Sequence, residues 1–169
     1  MENFFLIVEW WLVFFILGGI FFPLIFGLLP DFADRGYAVV KIFALVVLSY
    51  IVWLLGSLKI LPFTRITVFL VIILFLAFSL VVFLRGQKEL KDFFQKKWRL
   101  VLLEEGIFVF LIILGVGIRL LAPVVFRHAF VSENLLNLSF INGVAQSAYF
   151  PPQDVWLAGQ NLYYYYFGP

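Results

Sequence analysis

The chain has 169 residues, of which 64% are hydrophobic and 13% charged, and its net charge is +2. Soluble domains carry about 45–50% apolar and about 25% charged residues, so a soluble globular domain is excluded, and disorder with it. The absence of cysteine and the single histidine rule out disulfides, thiolate metal sites and a multi-histidine metal site. So small a positive charge gives no footing for a nucleic-acid partner.

Runs of about 17–25 apolar residues read as membrane-spanning helices. Four are expected: Phe4–Leu29, Val39–Gly56, Ile66–Leu84 and Leu100–Ile118. The fold class is therefore an all-α, polytopic transmembrane bundle of four spans over residues 1–122. Residues 123–169 form an extracytoplasmic loop with a short amphipathic helix. The first span lacks a basic leader and is too long for a signal peptide's apolar segment. Glu9, beside Trp10 and Trp11, reads as an interfacial carboxylate in an aromatic belt. Pro23 is expected to kink this span and Pro30 to end it.

The loops set the orientation. The stretch Arg85–Arg99 carries Arg85, Lys88, Lys91, Lys96, Lys97 and Arg99, and is read as a cytoplasmic loop. Counting spans from there puts Arg35 and Lys41 on the same side. The N-terminus and residues 123–169 then lie outside. Glu104 and Glu105 stand just inside the fourth span, where pairing with Arg99 or an interfacial role is expected; Arg119 can snorkel to the outer headgroups.

The last region differs in composition. It holds Pro123, Pro151, Pro152 and Pro169, the tyrosines Tyr149 and Tyr163–Tyr166, and the only histidine. Arg127-His128 suits an interfacial position or contact with a lipid phosphate. Ser132–Ser147 is expected to be helical, with Ser132 as its N-cap and Leu138, Ile141, Val144 and Ala145 at helical spacing. Glu133 and Asn137, four residues apart, share one face of that helix. Glu133 in the first turn also complements the helix dipole. Phe150-Pro-Pro-Gln-Asp154 must end the helix, and Asp154 then stands in a turn, where aspartate usually caps the backbone. The run of tyrosines can line a sugar or headgroup site or sit at the membrane interface.

From Glu133 to Gly168 the sequence resembles the signature of the YYY-domain membrane proteins. The residues that carry the resemblance are Glu133, Phe140, Asn142, Phe150, Pro151, Pro152, Asp154, Trp156, Ala158, Gly159, Tyr164, Tyr165, Tyr166, Phe167 and Gly168. Weaker matches lie upstream at Asp34-Arg35-Gly36-Tyr37, Lys41, Leu61-Pro62, Arg65, Glu105, Arg119 and Pro123. Departures are Asn134-Leu135-Leu136-Asn137 where that family has K-P-M-D, Val155 for a proline, and Tyr163 for an asparagine.

That family is itself similar to GT-C glycosyltransferases, which take sugars from polyprenyl-phosphate donors and carry an acidic motif in the first large external loop. The resemblance implies a membrane glycosyltransferase in the cell membrane, acting on the extracytoplasmic side. Glu133 and Asp154 are the implied catalytic carboxylates. Asn137, at the family's acid position, cannot take a proton. Trp156, Tyr164, Tyr165, Tyr166, Arg127 and His128 are the implied substrate-binding residues. No metal ligands are assigned, and a divalent metal stays open as a cofactor. Expected partners are membrane lipid, the polyprenyl-phosphate sugar donor and the remainder of a longer chain, since the signature continues past Pro169 in the family and the chain reads as an N-terminal fragment of a larger GT-C-like fold. The alternatives are a non-enzymatic multi-pass module of transport or envelope assembly, or an inactive fragment.

Overall fold

A computed structural model describes residues 2–121, 131–157 and 159–163. Its helices are α1 (Glu2–Leu28), α2 (Val40–Ser57), α3 (Arg65–Leu121) and α4 (Val131–Gln146). The chain forms two compact units, Met1–Val47 with Ile72–Leu121, and Leu48–Val71 with Ala122–Pro169. Three helices are long and apolar enough to cross a membrane: Phe5–Leu28, Val40–Ser57 and Arg65–Ile118. Only 17% of the most apolar stretch of α3 is buried within the chain. Ile66, Ile73, Leu74, Phe110 and Ile113 are exposed, a surface suited to hydrocarbon rather than water.

The first unit is built on α1, which at 27 residues is about 40 Å long and exceeds the hydrocarbon thickness. It continues unbroken through Pro23. Past Leu28 the chain folds back. Arg35 (φ 53°) and Gly36 (φ 82°) adopt left-handed backbone. A Cβ at Gly36 would overlap Ile25 Cγ2, so this turn accepts only glycine. The core gathers Phe21, Phe22, Ile25, Phe26, Val40, Ala44, Leu90 and Phe93. Phe22 and Phe26 bracket Phe93 at centroid distances of 5.7 and 5.5 Å.

The stretch expected as a loop between the third and fourth apolar runs is helical. Arg85–Arg99 belongs to α3, which departs from helical geometry at Gly86 (φ −109°, ψ 17°). Phe75 packs on Phe21 at 4.6 Å and Phe93 on Phe22 at 5.7 Å. A straight helix would hold residues 75 and 93 about 27 Å apart, so α3 bends sharply at Gly86. The reason is local: Gln, Lys, Glu and Leu after Gly86 are good helix formers, and Leu90 and Phe93 give that stretch a buried face.

In the second unit, Thr64 caps α3, its Oγ accepting from Thr67 N–H at 3.3 Å. Thr67 donates in turn to the Pro62 carbonyl at 2.6 Å. The chain after α4 is fastened by Phe63 N–H to the Ala148 carbonyl at 2.6 Å, and by Phe150 ring-packed on Phe63 at 5.2 Å. The Phe150–Pro151 peptide is cis, and Pro152 is fully buried. An antiparallel bridge joins Gln153 and Asn161. The helix begins at Val131, so Ser132 lies in its first turn rather than capping it. Among the described residues its buried positions are Phe140, Gly143 and Val144; Leu138 and Ile141 are exposed, contrary to the expected stripe. The cause is the following loop, which approaches at Gly143: a Cβ there would lie 3.1 Å from Val155.

Candidate functional site

The loop after α4 shapes a cleft of about 830 Å³ in the second unit. Its polar lining comes from Lys59, Gln146, Gln153, Asp154 and Asn161, with Tyr149 beside them. Lys59 has left-handed backbone (φ 57°), at the connector that follows α2. Cation, carboxylate, amides and an aromatic ring together offer donors and acceptors to a polyhydroxylated ligand.

Asp154 lines this cleft, and its Oδ1 accepts from Trp156 N–H at 2.7 Å and Leu157 N–H at 3.2 Å. That is the aspartate turn the sequence led us to expect. The backbone around it closes through Asp154 N–H to the Gln160 carbonyl at 2.9 Å and Leu162 N–H to the Pro152 carbonyl at 2.8 Å. Trp156 is 67% exposed, and its indole N–H donates to Ser139 Oγ at 3.2 Å, tying the turn to α4. Asn137 is exposed on α4. Glu133 also belongs to α4, but its side chain lies outside the described residues, as do Arg127, His128, Tyr164, Tyr165 and Tyr166. Among the described residues no cluster of three acidic or histidine side chains could hold a metal.

A second polar centre lies in the first unit. Lys41 Nζ meets Glu105 Oε1 at 2.5 Å, and Tyr37 donates its hydroxyl to the same oxygen at 2.7 Å. Lys41 is 5% exposed and also sits over the Phe108 ring at 4.6 Å. Glu105 therefore pairs with a residue on α2 and not with Arg99, one of the two roles expected for it. The aromatic surroundings make this a low-dielectric pair, in which the two donors offset the loss of water. Burial, then the hydrogen bond and charge of Glu105, push the Tyr37 hydroxyl well above its ordinary range. Oε2 of Glu105 and Oε2 of Glu104 are buried with no hydrogen-bond partner among the described residues. The signal that could have found this centre is plain: Lys41 and Glu105 are charges inside apolar runs, and such charges find each other.

A family model described as an uncharacterized membrane protein, DUF2298, matches residues 47–169. That span takes in α3, α4 and the cleft-forming loop. No curated protein and no solved structure matches the chain.

Proposed function

The chain belongs to the DUF2298 family of uncharacterized membrane proteins, and from that premise we propose that it is a GT-C-type glycosyltransferase acting on the extracytoplasmic side of the cell membrane. The observation that carries this reading is the cleft formed by the Phe150-Pro-Pro-Gln-Asp154 stretch, the part of the YYY-like signature that the structure describes. Its mixed polar and aromatic lining suits a sugar. The proposed orientation has α3 crossing the membrane twice, bending at Gly86, with the cations of Arg85–Arg99 in the cytoplasm.

In the proposed reaction an acceptor hydroxyl oxygen bonds to the anomeric carbon of the sugar. The bond from that carbon to the phosphate oxygen breaks, and polyprenyl phosphate leaves with the electron pair. Glu133, in the first turn of α4, takes the acceptor's proton. Asp154, already holding the turn through Oδ1, shapes the cleft and is the second candidate base.

The test is transfer from labelled polyprenyl-phosphate sugars by the native protein in proteoliposomes. Transfer is expected, with Glu133→Gln lowering it by about 10²–10⁴-fold, the range of general-base catalysis, and without loss of membrane insertion. Asn137→Asp is expected to preserve or raise the rate. Transfer undiminished in Glu133→Gln moves the base to Asp154. No transfer in any variant favours a non-enzymatic membrane module, a reading supported by the use of Asp154 as a turn cap.

A further inference from the structure

The stretch of α3 after the bend at Gly86 carries charges of both signs, and some of them line a cleft of about 410 Å³ within the first unit. Its polar lining is Arg35, Glu89, Asp92, Lys96 and Lys97, and its apolar walls include Phe26, Phe32 and Phe93. A space of this size admits a headgroup rather than a bare ion. Glu89, Asp92 and Lys96 follow one another at intervals of three and four residues, so they share one face of the helix. Arg35 joins them from the turn after α1, where its guanidinium lies over the Phe26 ring at 4.9 Å. That ring holds the cation in place without neutralising it.

Opposite charges share this cleft, yet none of the five pairs with another: among the described residues the ion pair is Lys41–Glu105. Asp92 and Lys96 stand four apart, the spacing of a helical ion pair, and still make none. The charges are also sorted. Lys96 and Lys97 adjoin the apolar run that starts at Leu100, whereas Glu89 and Asp92 lie about 6–12 Å nearer the bend along the helix axis. A simple anion would satisfy the three cations and face two carboxylates; a simple cation would do the reverse. We propose that the cleft binds the headgroup of a zwitterionic membrane phospholipid with a primary ammonium, phosphatidylethanolamine. Its phosphate, next to the acyl chains, meets Lys96, Lys97 and Arg35, and its ammonium, at the outer end, donates to Asp92 and Glu89. The exposed Phe32 ring offers an apolar surface to the start of an acyl chain. A choline headgroup carries the same charges but has no N–H to donate, and a glycerol headgroup lacks the cation. The site is separate from the external cleft and does not rest on the glycosyltransferase reading.

The test reconstitutes the full chain in vesicles of equal parts dioleoyl phosphatidylethanolamine, phosphatidylcholine and phosphatidylglycerol. The protein is extracted in mild detergent, and mass spectrometry counts the lipid it retains. Phosphatidylethanolamine is expected to exceed phosphatidylcholine by about fivefold, the worth of one exposed charged contact, and to exceed phosphatidylglycerol as well. Glu89→Gln with Asp92→Asn should erase the preference over phosphatidylcholine and raise the share of phosphatidylglycerol. Lys96→Gln with Lys97→Gln should lower retention of all three. Arg85→Gln with Lys88→Gln removes two cations of the same stretch that do not line the cleft, and should leave the preference as it was. Glu89, Lys96 and Lys97 are exposed and Asp92→Asn is nearly isosteric, so circular dichroism should show helicity unchanged. Equal retention of phosphatidylethanolamine and phosphatidylcholine, an excess of phosphatidylglycerol in the unaltered protein, or a preference that survives loss of both carboxylates would overturn the proposal.

Discussion

The two units treat polar side chains in opposite ways. In the first, Lys41 and Glu105 are drawn inward and matched to each other and to Tyr37 among aromatic rings. In the second, Asp154, Ser139 and Trp156 are spent on shaping an exposed loop around a cleft. The difference teaches where each unit's stability lies. Removing a partner in the first strands a charge out of water, whereas in the second it costs a hydrogen bond that water can replace.

The largest expected effect follows directly. Lys41→Met should destabilise the first unit by about 3–5 kcal/mol, because the buried Glu105 carboxyl loses its cationic partner. Lys41→Met with Glu105→Gln should recover most of that loss. Denaturant unfolding in mild detergent, followed by circular dichroism, measures both; a cost below about 1 kcal/mol for the single change would erase the contrast between the units.

Next comes Gly56. A Cβ there would lie 2.8 Å from the Phe150 ring, so Gly56→Ala must push that ring aside. Overpacking of this kind costs about 1–3 kcal/mol. Proteolysis within residues 147–163 should quicken while the stability conferred by the Lys41–Glu105 pair stays the same.

Asp154→Ala should cost about 1 kcal/mol, the worth of an ordinary hydrogen bond, and Asp154→Asn less, since the amide oxygen can still accept. Retained sugar transfer in Asp154→Asn would assign this residue to the turn alone.

The smallest effect at neutral pH concerns Tyr37. Its hydroxyl is raised above the ordinary value by burial and by Glu105, so the folded chain keeps a proton that the unfolded chain releases above about pH 10. The stabilisation is fully present below that pH and is lost as pH climbs toward the raised value. Tyr37→Phe should flatten this decline in a series of unfolding measurements from pH 8.5 to 11.5.

The helices were legible in the sequence because apolar runs have few other uses at this length. Their joints were not equally so. Pro30 ended α1 near the expected place, but the basic stretch after Arg85 looked like a loop because its charges hid the spacing of Leu90, Phe93 and Phe94. The turn at Asp154 could be read from Pro-Pro-Gln-Asp, since those residue types dictate local backbone. The Lys41–Glu105 pair left a signal, two charges inside apolar runs, but its pairing was missed because the partners are 64 residues apart and Arg99 was nearer in sequence. The buried side of α4 was also hidden, as it is set by the returning loop at Gly143 and not by the periodicity of the helix itself.

The contrast between a sealed centre and an open cleft is tested most directly by single cysteines in this cysteine-free chain. Ala44 is fully buried in the first unit, and Gln153 is exposed at the cleft. With a membrane-impermeant maleimide, Gln153→Cys should label rapidly on intact cells, and Ala44→Cys should resist labelling from either side until the protein is denatured. Rapid labelling of Ala44→Cys in the folded protein, or labelling of Gln153→Cys only after permeabilisation, would contradict the account.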